Sequence, residues 1–155
     1  MEKNKEPLKA VFRWEAYFEA STGRLSPFFR ELKENKKILG SKCPDCQVVY
    51  CPPIADCPKC WGRNEWVEIG PKGTLIAFSY VPSVISNAPP AVELGFDPPY
   101  GFGLIQLDGA DTSLLHFVRE IDVEDLRPGL RVEAVMREKR EGYITDIAYF
   151  KVTSS

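Results

Sequence analysis

Four cysteines in two short pairs constrain this chain more than any other feature. Cys43-Pro44-Asp45-Cys46 is followed, after ten residues, by Cys57-Pro58-Lys59-Cys60. A C-x-x-C turn can wrap two thiolates around one ion, and two such turns supply the four soft ligands of a tetrahedral site. A segment this small cannot bury a core of its own, so bound metal would supply its folding free energy. The expected cofactor is one zinc ion per chain. With sulfur in all four positions the zinc keeps no open site, so its expected role is structural. Four thiolates also hold iron, and the spacing leaves zinc and iron both open. A fifth cysteine, Cys51, stands between the pairs in Tyr50-Cys51-Pro52-Pro53. It reads as a small apolar residue of the ribbon, with a reactive nucleophile as the alternative.

The rival to a metal site is a disulfide. Met1 to Pro7 is polar and charged, unlike a signal peptide. No stretch is apolar for the roughly 18 residues that a membrane span requires. The expected location is therefore the cytoplasm, where thiols stay reduced and paired cysteines read first as metal ligands.

Around the cysteines the pattern changes twice. Residues 8–20 place Leu8, Val11, Phe12, Ala16 and Phe18 near helical spacing, with Trp14 and Tyr17 elsewhere on the segment. Ser21-Thr22-Gly23 stops this helix. Ser26-Pro27 restarts one over 27–38, with serine as its N-cap and Gly40 at its stop. From Val67 onward the chain reads as strands: 73–81, 100–107, 112–118, 130–137 and 142–152. Between the first two lies a long loop, 82–99, with prolines at 82, 89, 90, 98 and 99. Five strands with no long helix between them point to a small closed barrel. The expected division is a helical segment at 1–40, a zinc ribbon at 41–69 and a barrel at 70–155.

In this order the motifs resemble a known family. Leu32-Lys33-Glu34-Asn35-Lys36-Lys37-Ile38 leads into the first cysteine pair. Tyr50-Cys51-Pro52-Pro53 and the second pair follow, and then Gly73-Thr74 opens a strand. Pro99-Tyr100-Gly101 and Arg127-Pro128-Gly129-Leu130-Arg131-Val132 enter two later ones. Over roughly 25–152 the chain resembles the bacterial and archaeal family called domain of unknown function 35. That resemblance implies N-terminal helices, a rubredoxin-like zinc ribbon and a C-terminal five-stranded OB-fold. It also implies acyl-coenzyme A metabolism. Members pair with thiolase-like enzymes or hydroxymethylglutaryl-coenzyme A synthases, or form part of steroid side-chain hydratases and aldolases. The small chain docks on the catalytic subunit and helps shape or bridge a coenzyme A site. The small zinc-finger subunit of a benzoylsuccinyl-coenzyme A thiolase is one such relative, and nothing in the sequence separates it from other thiolase partners. One departure matters. Members often carry an arginine after the paired prolines, whereas Ile54 and Ala55 follow here.

For chemistry of its own the chain offers little. Nucleophilic catalysis needs a nucleophile, a base and an orienting group. The single histidine, His116, alternates with Leu114 and Val118 along a strand and reads as packed and hydrogen-bonded. Asp108, Asp111, Asp122, Glu124 and Asp125 sit near turns and read as solvated loop tips. Gly101-Phe102-Gly103 lacks the third glycine and the helix of a phosphate loop; it reads as close backbone approach in a strand. No catalytic residue is therefore assigned, and the partner would carry the reacting groups. If the chain contacts acyl-coenzyme A, Lys36, Lys37, Lys42, Arg63 and Lys72 are the candidates for its phosphates, with a solvated basic rim as the plainer reading. The apolar residues of loop 82–99 are expected to touch the partner or the acyl group, or else to fold over the barrel mouth.

Zinc ribbons and OB-folds also serve nucleic-acid binders. Tyr80, Phe102, Phe117 and Tyr149 could stack on bases. Yet the chain has 20 lysines and arginines against 22 acidic residues, for a net charge of −2. Phosphate binding supplies most of such a protein's affinity, so a single-stranded nucleic-acid module is the weaker alternative.

Overall fold

The computed structural model describes residues 20–82, 95 and 97–153. The helix expected at 8–20 lies outside the described residues, apart from Ala20, and so does most of loop 82–99.

The described chain is mainly β with one short helix. A single 3-10 turn, Gly23–Leu25, leads into α1, Ser26–Asn35. The expected serine cap is not made. Ser26 already stands inside the helix, and its Oγ donates to the Gly23 carbonyl at 2.6 Å. The helix also stops before the expected 38. Lys36 takes a left-handed conformation (φ 57°), and the N–H of Lys37 returns to the Glu31 carbonyl at 3.1 Å. The reason is Ile38, which is buried and already belongs to a strand. Gly40 is a mid-strand residue, not a helix stop. A side chain there would collide with Ile69 Cδ1 and approach the Tyr50 carbonyl oxygen at 2.9 Å.

Two sheets follow. The first has three strands in the order β2-β1-β3: β1 Ile38–Lys42, β2 Val49–Tyr50 and β3 Glu65–Ile69. None of these three appeared in the sequence as a strand. They are short, and their apolar residues do not alternate cleanly. The second sheet holds β4 Lys72–Val81, β5 Tyr100–Leu107, β6 Leu114–Arg119, β7 Arg131–Met136 and β8 Ile147–Val152. These five strands close into a ring in the order β4-β5-β6-β8-β7. Every pair is antiparallel except β6 with β8, which run parallel. A register shift between Leu75 and Ala77 inserts an extra residue, Ile76, and bends β4 around the ring.

The last strand begins at Ile147, not at 142 as expected. Asp146 explains the delay. Its buried carboxylate accepts from the Glu141 N–H at 2.9 Å and the Gly142 N–H at 2.7 Å, locking a turn over Ile144–Asp146. Inside the ring, Leu75, Ile105, Leu107, Val118, Val132, Ile147 and Phe150 form one buried cluster with Phe28 and Leu32 of α1. Gly103 permits this packing, because a Cβ there would strike the Ala77 carbonyl oxygen. Close backbone approach is thus the role of that glycine.

Candidate metal centre

The two cysteine turns are copies of one device. In each, the first cysteine's N–H donates to the carbonyl five residues on: Cys43 to Val48 at 3.0 Å and Cys57 to Gly62 at 2.8 Å. In each, the residue after the second cysteine donates back to the first cysteine's carbonyl: Gln47 at 3.0 Å and Trp61 at 2.8 Å. Both of those residues are left-handed, with φ 63° and 60°. Such a conformation costs a side-chain-bearing residue on the order of 1 kcal/mol, and it persists because the surrounding bonds over-determine it.

These turns bring the sulfurs of Cys43, Cys46, Cys57 and Cys60 within 4.8 Å of one another. The Sγ atoms of Cys46 and Cys57 are 3.7 Å apart. Four sulfurs at the zinc–sulfur bond length around a tetrahedral centre would stand about 3.8 Å apart. All five cysteines are free thiols. Donor type, number and spacing therefore fit a four-coordinate metal, with every position taken by sulfur.

Charge balance gives the same answer. The Tyr50 hydroxyl lies 3.4 Å from Cys57 Sγ, and this contact pulls the Cys57 thiol down to about 6. Cys60 moves the other way, up to about 12, because its hydrogen bond to Cys46 holds it protonated. Sulfurs this close cannot all ionise beside one another without a cation among them. The fifth thiol behaves differently. Cys51 is 1% exposed and burial pushes it up to about 12, so it is packing material, not a nucleophile.

The ribbon is fastened to the ring along β2. Val49 N–H donates to Asp111 Oδ2 at 2.8 Å, and Asp111 N–H returns to the Val49 carbonyl at 2.8 Å. Thr112 Oγ1 accepts from the Cys51 N–H at 2.8 Å and donates to the Cys51 carbonyl at 3.0 Å. Asp111 is therefore a fastening residue, although its position near a turn reads as a solvated loop tip.

The five basic candidates stand on different elements. Lys36 caps α1, and Lys37 pairs with Glu68 at 2.7 Å. Lys42 ends β1, and Lys72 opens β4 opposite Glu133. Arg63 lines a small pocket with Arg24, Ser41, Ile54, Ala55, Asn64 and Trp66. Arg24 there forks onto Asp56. Ile54 and Ala55 thus line a pocket that Arg24 and Arg63 also line.

His116 is packed and hydrogen-bonded. Its Nδ1 accepts from the Phe117 N–H at 2.9 Å, and its ring meets Phe150 edge-on at 5.6 Å. Burial lowers its pKa to about 4, so it stays neutral.

The outer face of the ring is apolar too. Register places Ala77, Leu104 and Leu115 in one row across β4, β5 and β6, and Ser79, Phe102 and Phe117 in the next. Leu104 is 42% and Leu115 62% exposed. Phe102, Leu115, His116, Phe117, Ile144 and Thr145 line an apolar pocket of about 290 Å³ beside these rows. Neither row holds a lysine or arginine. Positive charge enters only in the row beyond, where Arg119 follows Phe117 along β6 and stands opposite Lys151 of β8. Tyr149 stands on the adjacent strand β8, next to Phe150, the partner of Val118, and its hydroxyl donates to Glu120. The sequence did carry a signal for this face: β5 and β6 are apolar at both alternations, as in strands covered on both sides.

Residues 30–66 match the family described as the ChsH2 rubredoxin-like zinc ribbon domain, and residues 66–137 match the ChsH2 C-terminal OB-fold domain. A DUF35 domain-containing scaffold protein of Methanocaldococcus jannaschii is 32% identical over 113 residues, covering 73% of this chain and 77% of its own length. A protein of the same description from Pyrococcus furiosus is 28% identical over 119 residues, covering 76% and 82%. Among solved structures, one described as the Ltp2-ChsH2(DUF35) aldolase superposes with a TM-score of 0.61 at 19% identity, covering 86% of this chain and 98% of that one. It shares the fold. With the sequence matches added, the chain belongs to the DUF35 family, as a zinc ribbon followed by an OB-fold.

Proposed function

We propose that this chain is a non-catalytic accessory subunit of a thiolase-type acyl-coenzyme A complex, stiffened by one structural zinc and docked on the catalytic subunit. The observation that carries this reading is the apolar outer face of the ring. Leu104 and Leu115 stand exposed side by side, continuous with Phe102, Phe117 and Ile144. A sheet apolar on both faces buries both, and an exposed patch of this kind marks a contact surface. The relatives' description as scaffold proteins supports the reading. So does the likeness to a structure whose description joins a DUF35 chain to a second component in an aldolase.

Catalysis falls to the partner. Among the described residues Cys51 is buried and protonated and His116 is packed and neutral. The division into helical segment, ribbon and barrel, with the ribbon's first strand starting at Ile38 and not at 41, gives each part a task. The helical segment attaches, the ribbon braces, and the OB-fold forms a wall of the acyl-coenzyme A entrance, with loop 82–99 toward the partner or the acyl group. Lys36, Lys37, Lys42, Arg63 and Lys72 are the residues we assign to the coenzyme's phosphates. Arg63 is the strongest of them, since it is exposed and shares a pocket with Arg24. The complex would work in the cytoplasm, where the thiolates stay reduced. No helix among the described residues is long and apolar enough to cross a membrane.

The test is co-expression with a thiolase-like protein of the same source, followed by native mass and thiolytic activity. A stable complex, active only with both chains and broken by Leu115→Glu, is the expected result. A chain that stays alone while the thiolase works unaided would sink the reading.

A further inference from the structure

Four sulfurs around a dication still need something to hold each of them in place. Metal ligands are oriented by donors and acceptors in the layer outside them. Several such contacts are visible in the ribbon. Most come from the backbone, as any residue there would supply: the Cys46 N–H points at Cys43 Sγ over 3.5 Å, and the N–H groups of Lys59 and Cys60 turn toward Cys57 Sγ. One comes from a side chain: the Tyr50 hydroxyl lies 3.4 Å from Cys57 Sγ. A metal-bound cysteine is a thiolate and has no proton to give, so the hydroxyl must be the donor.

Tyr50 is unusually well placed for this task. Strand alternation turns its side chain away from those of its neighbours Val49 and Cys51. Those neighbours carry the seam to the ring: Val49 bonds Asp111 through both backbone groups, and Cys51 bonds Thr112 Oγ1 through both of its own. A two-residue strand has little stability of its own. β2 is held on one edge by β1, with Ser41 opposite Tyr50, and on the other by the ring's 111–112 turn. The hydroxyl is thus presented from a fixed element. Its acceptor lies in the second cysteine turn, seven residues further along.

We propose that Tyr50 is a positioning residue for the metal: its hydroxyl holds the Cys57 thiolate, and the seam between β2 and the ring holds Tyr50. The inference rests on the metal-bound reading of the four cysteines. Its consequence is that the ring's 111–112 turn supports metal retention although it supplies no ligand.

The experiment loads the full chain with cobalt(II) and follows the sulfur-to-cobalt charge-transfer band, then measures metal affinity by competition with a chelator. Tyr50→Phe removes one oxygen and keeps the ring and the strand pairing. A hydrogen bond lowers the energy of a sulfur lone pair, so its loss should move the band to longer wavelength. Affinity should fall about 10- to 100-fold, as when other outer partners of metal ligands are removed. An unchanged band overturns the proposal, and so does an unchanged affinity. A weaker metal with an unmoved band would mean that Tyr50 only packs. Failure of the wild-type chain to take up cobalt through sulfur would instead remove the metal reading itself.

Discussion

The ribbon and the ring lie against each other and share a seam, yet different forces hold them. The ring encloses Leu75, Ile105, Val132 and Phe150, all fully buried, and each strand contributes to that cluster. Burial of side chains of this kind stabilises by about 1.5–3 kcal/mol each. The ribbon has no such interior. β2 has no buried residue, and in β3 only Ile69 is buried. Of the ribbon's buried apolar residues, Ile38, Cys51 and Ile69 all belong to the cluster it shares with the ring and α1. What remains is the set of four sulfurs. A chain too short to enclose apolar volume can still fold if coordination replaces burial, and the replacement is local.

The strongest way to break this contrast is to remove the metal. Structural zinc bound by small thiolate sites has an apparent binding free energy of about 10–16 kcal/mol. Chelation, or Cys57→Ser, should strip amide-exchange protection from residues 43–66 and leave Leu75, Ile105 and Phe150 protected. Simultaneous loss in the ring would show that the two parts fold as one unit.

Core truncation asks the converse. Phe150→Ala should cost about 3–5 kcal/mol in urea unfolding. The cobalt band of the ribbon should survive wherever the ring remains folded.

Acid sharpens the contrast through His116. Its folded pKa is lowered from 6.5 to about 4 by burial. The unfolded chain therefore takes up a proton before the folded one does, and stability rises with pH through that window. The contribution is intact above 6.5 and is lost as pH falls toward 4. Its full size is about 3 kcal/mol, at 1.36 kcal/mol per unit. A His116→Gln variant should show a flatter stability profile between those values.

The smallest effect is expected at the seam. Thr112→Val keeps the shape but leaves the Cys51 N–H and carbonyl without their partner. A cost of about 1–2 kcal/mol is expected. Faster amide exchange at Cys51, with the rest of the ring unchanged, would locate the loss there.

Much of this was legible beforehand. The ligand set could be read directly because C-x-x-C geometry is decided within six residues by backbone bonds of the turn itself. All five ring strands could be found, since apolar alternation and Gly-Pro breaks are local signals. The errors were local too, at places where distant residues intervened. α1 ends early because Ile38 is needed against Ile69, and β8 starts late because Asp146 captures two backbone N–H groups. The sheet β1 to β3 was missed because strands this short are stabilised by their neighbours and not by their own pattern.

The sequence by itself therefore determined the four cysteines that can hold a metal, the existence of the ring strands and a net charge of −2. Each depends on composition or on residues close in the chain. Tertiary structure alone decided that β6 lies parallel to β8, that Asp111 and Thr112 stitch β2 to the ring, and that Leu104 and Leu115 share an exposed row. Those contacts join residues up to 62 positions apart along the chain. Their partners are chosen by closure of the ring, and no local pattern encodes which turn a closed ring will bring to the ribbon's edge.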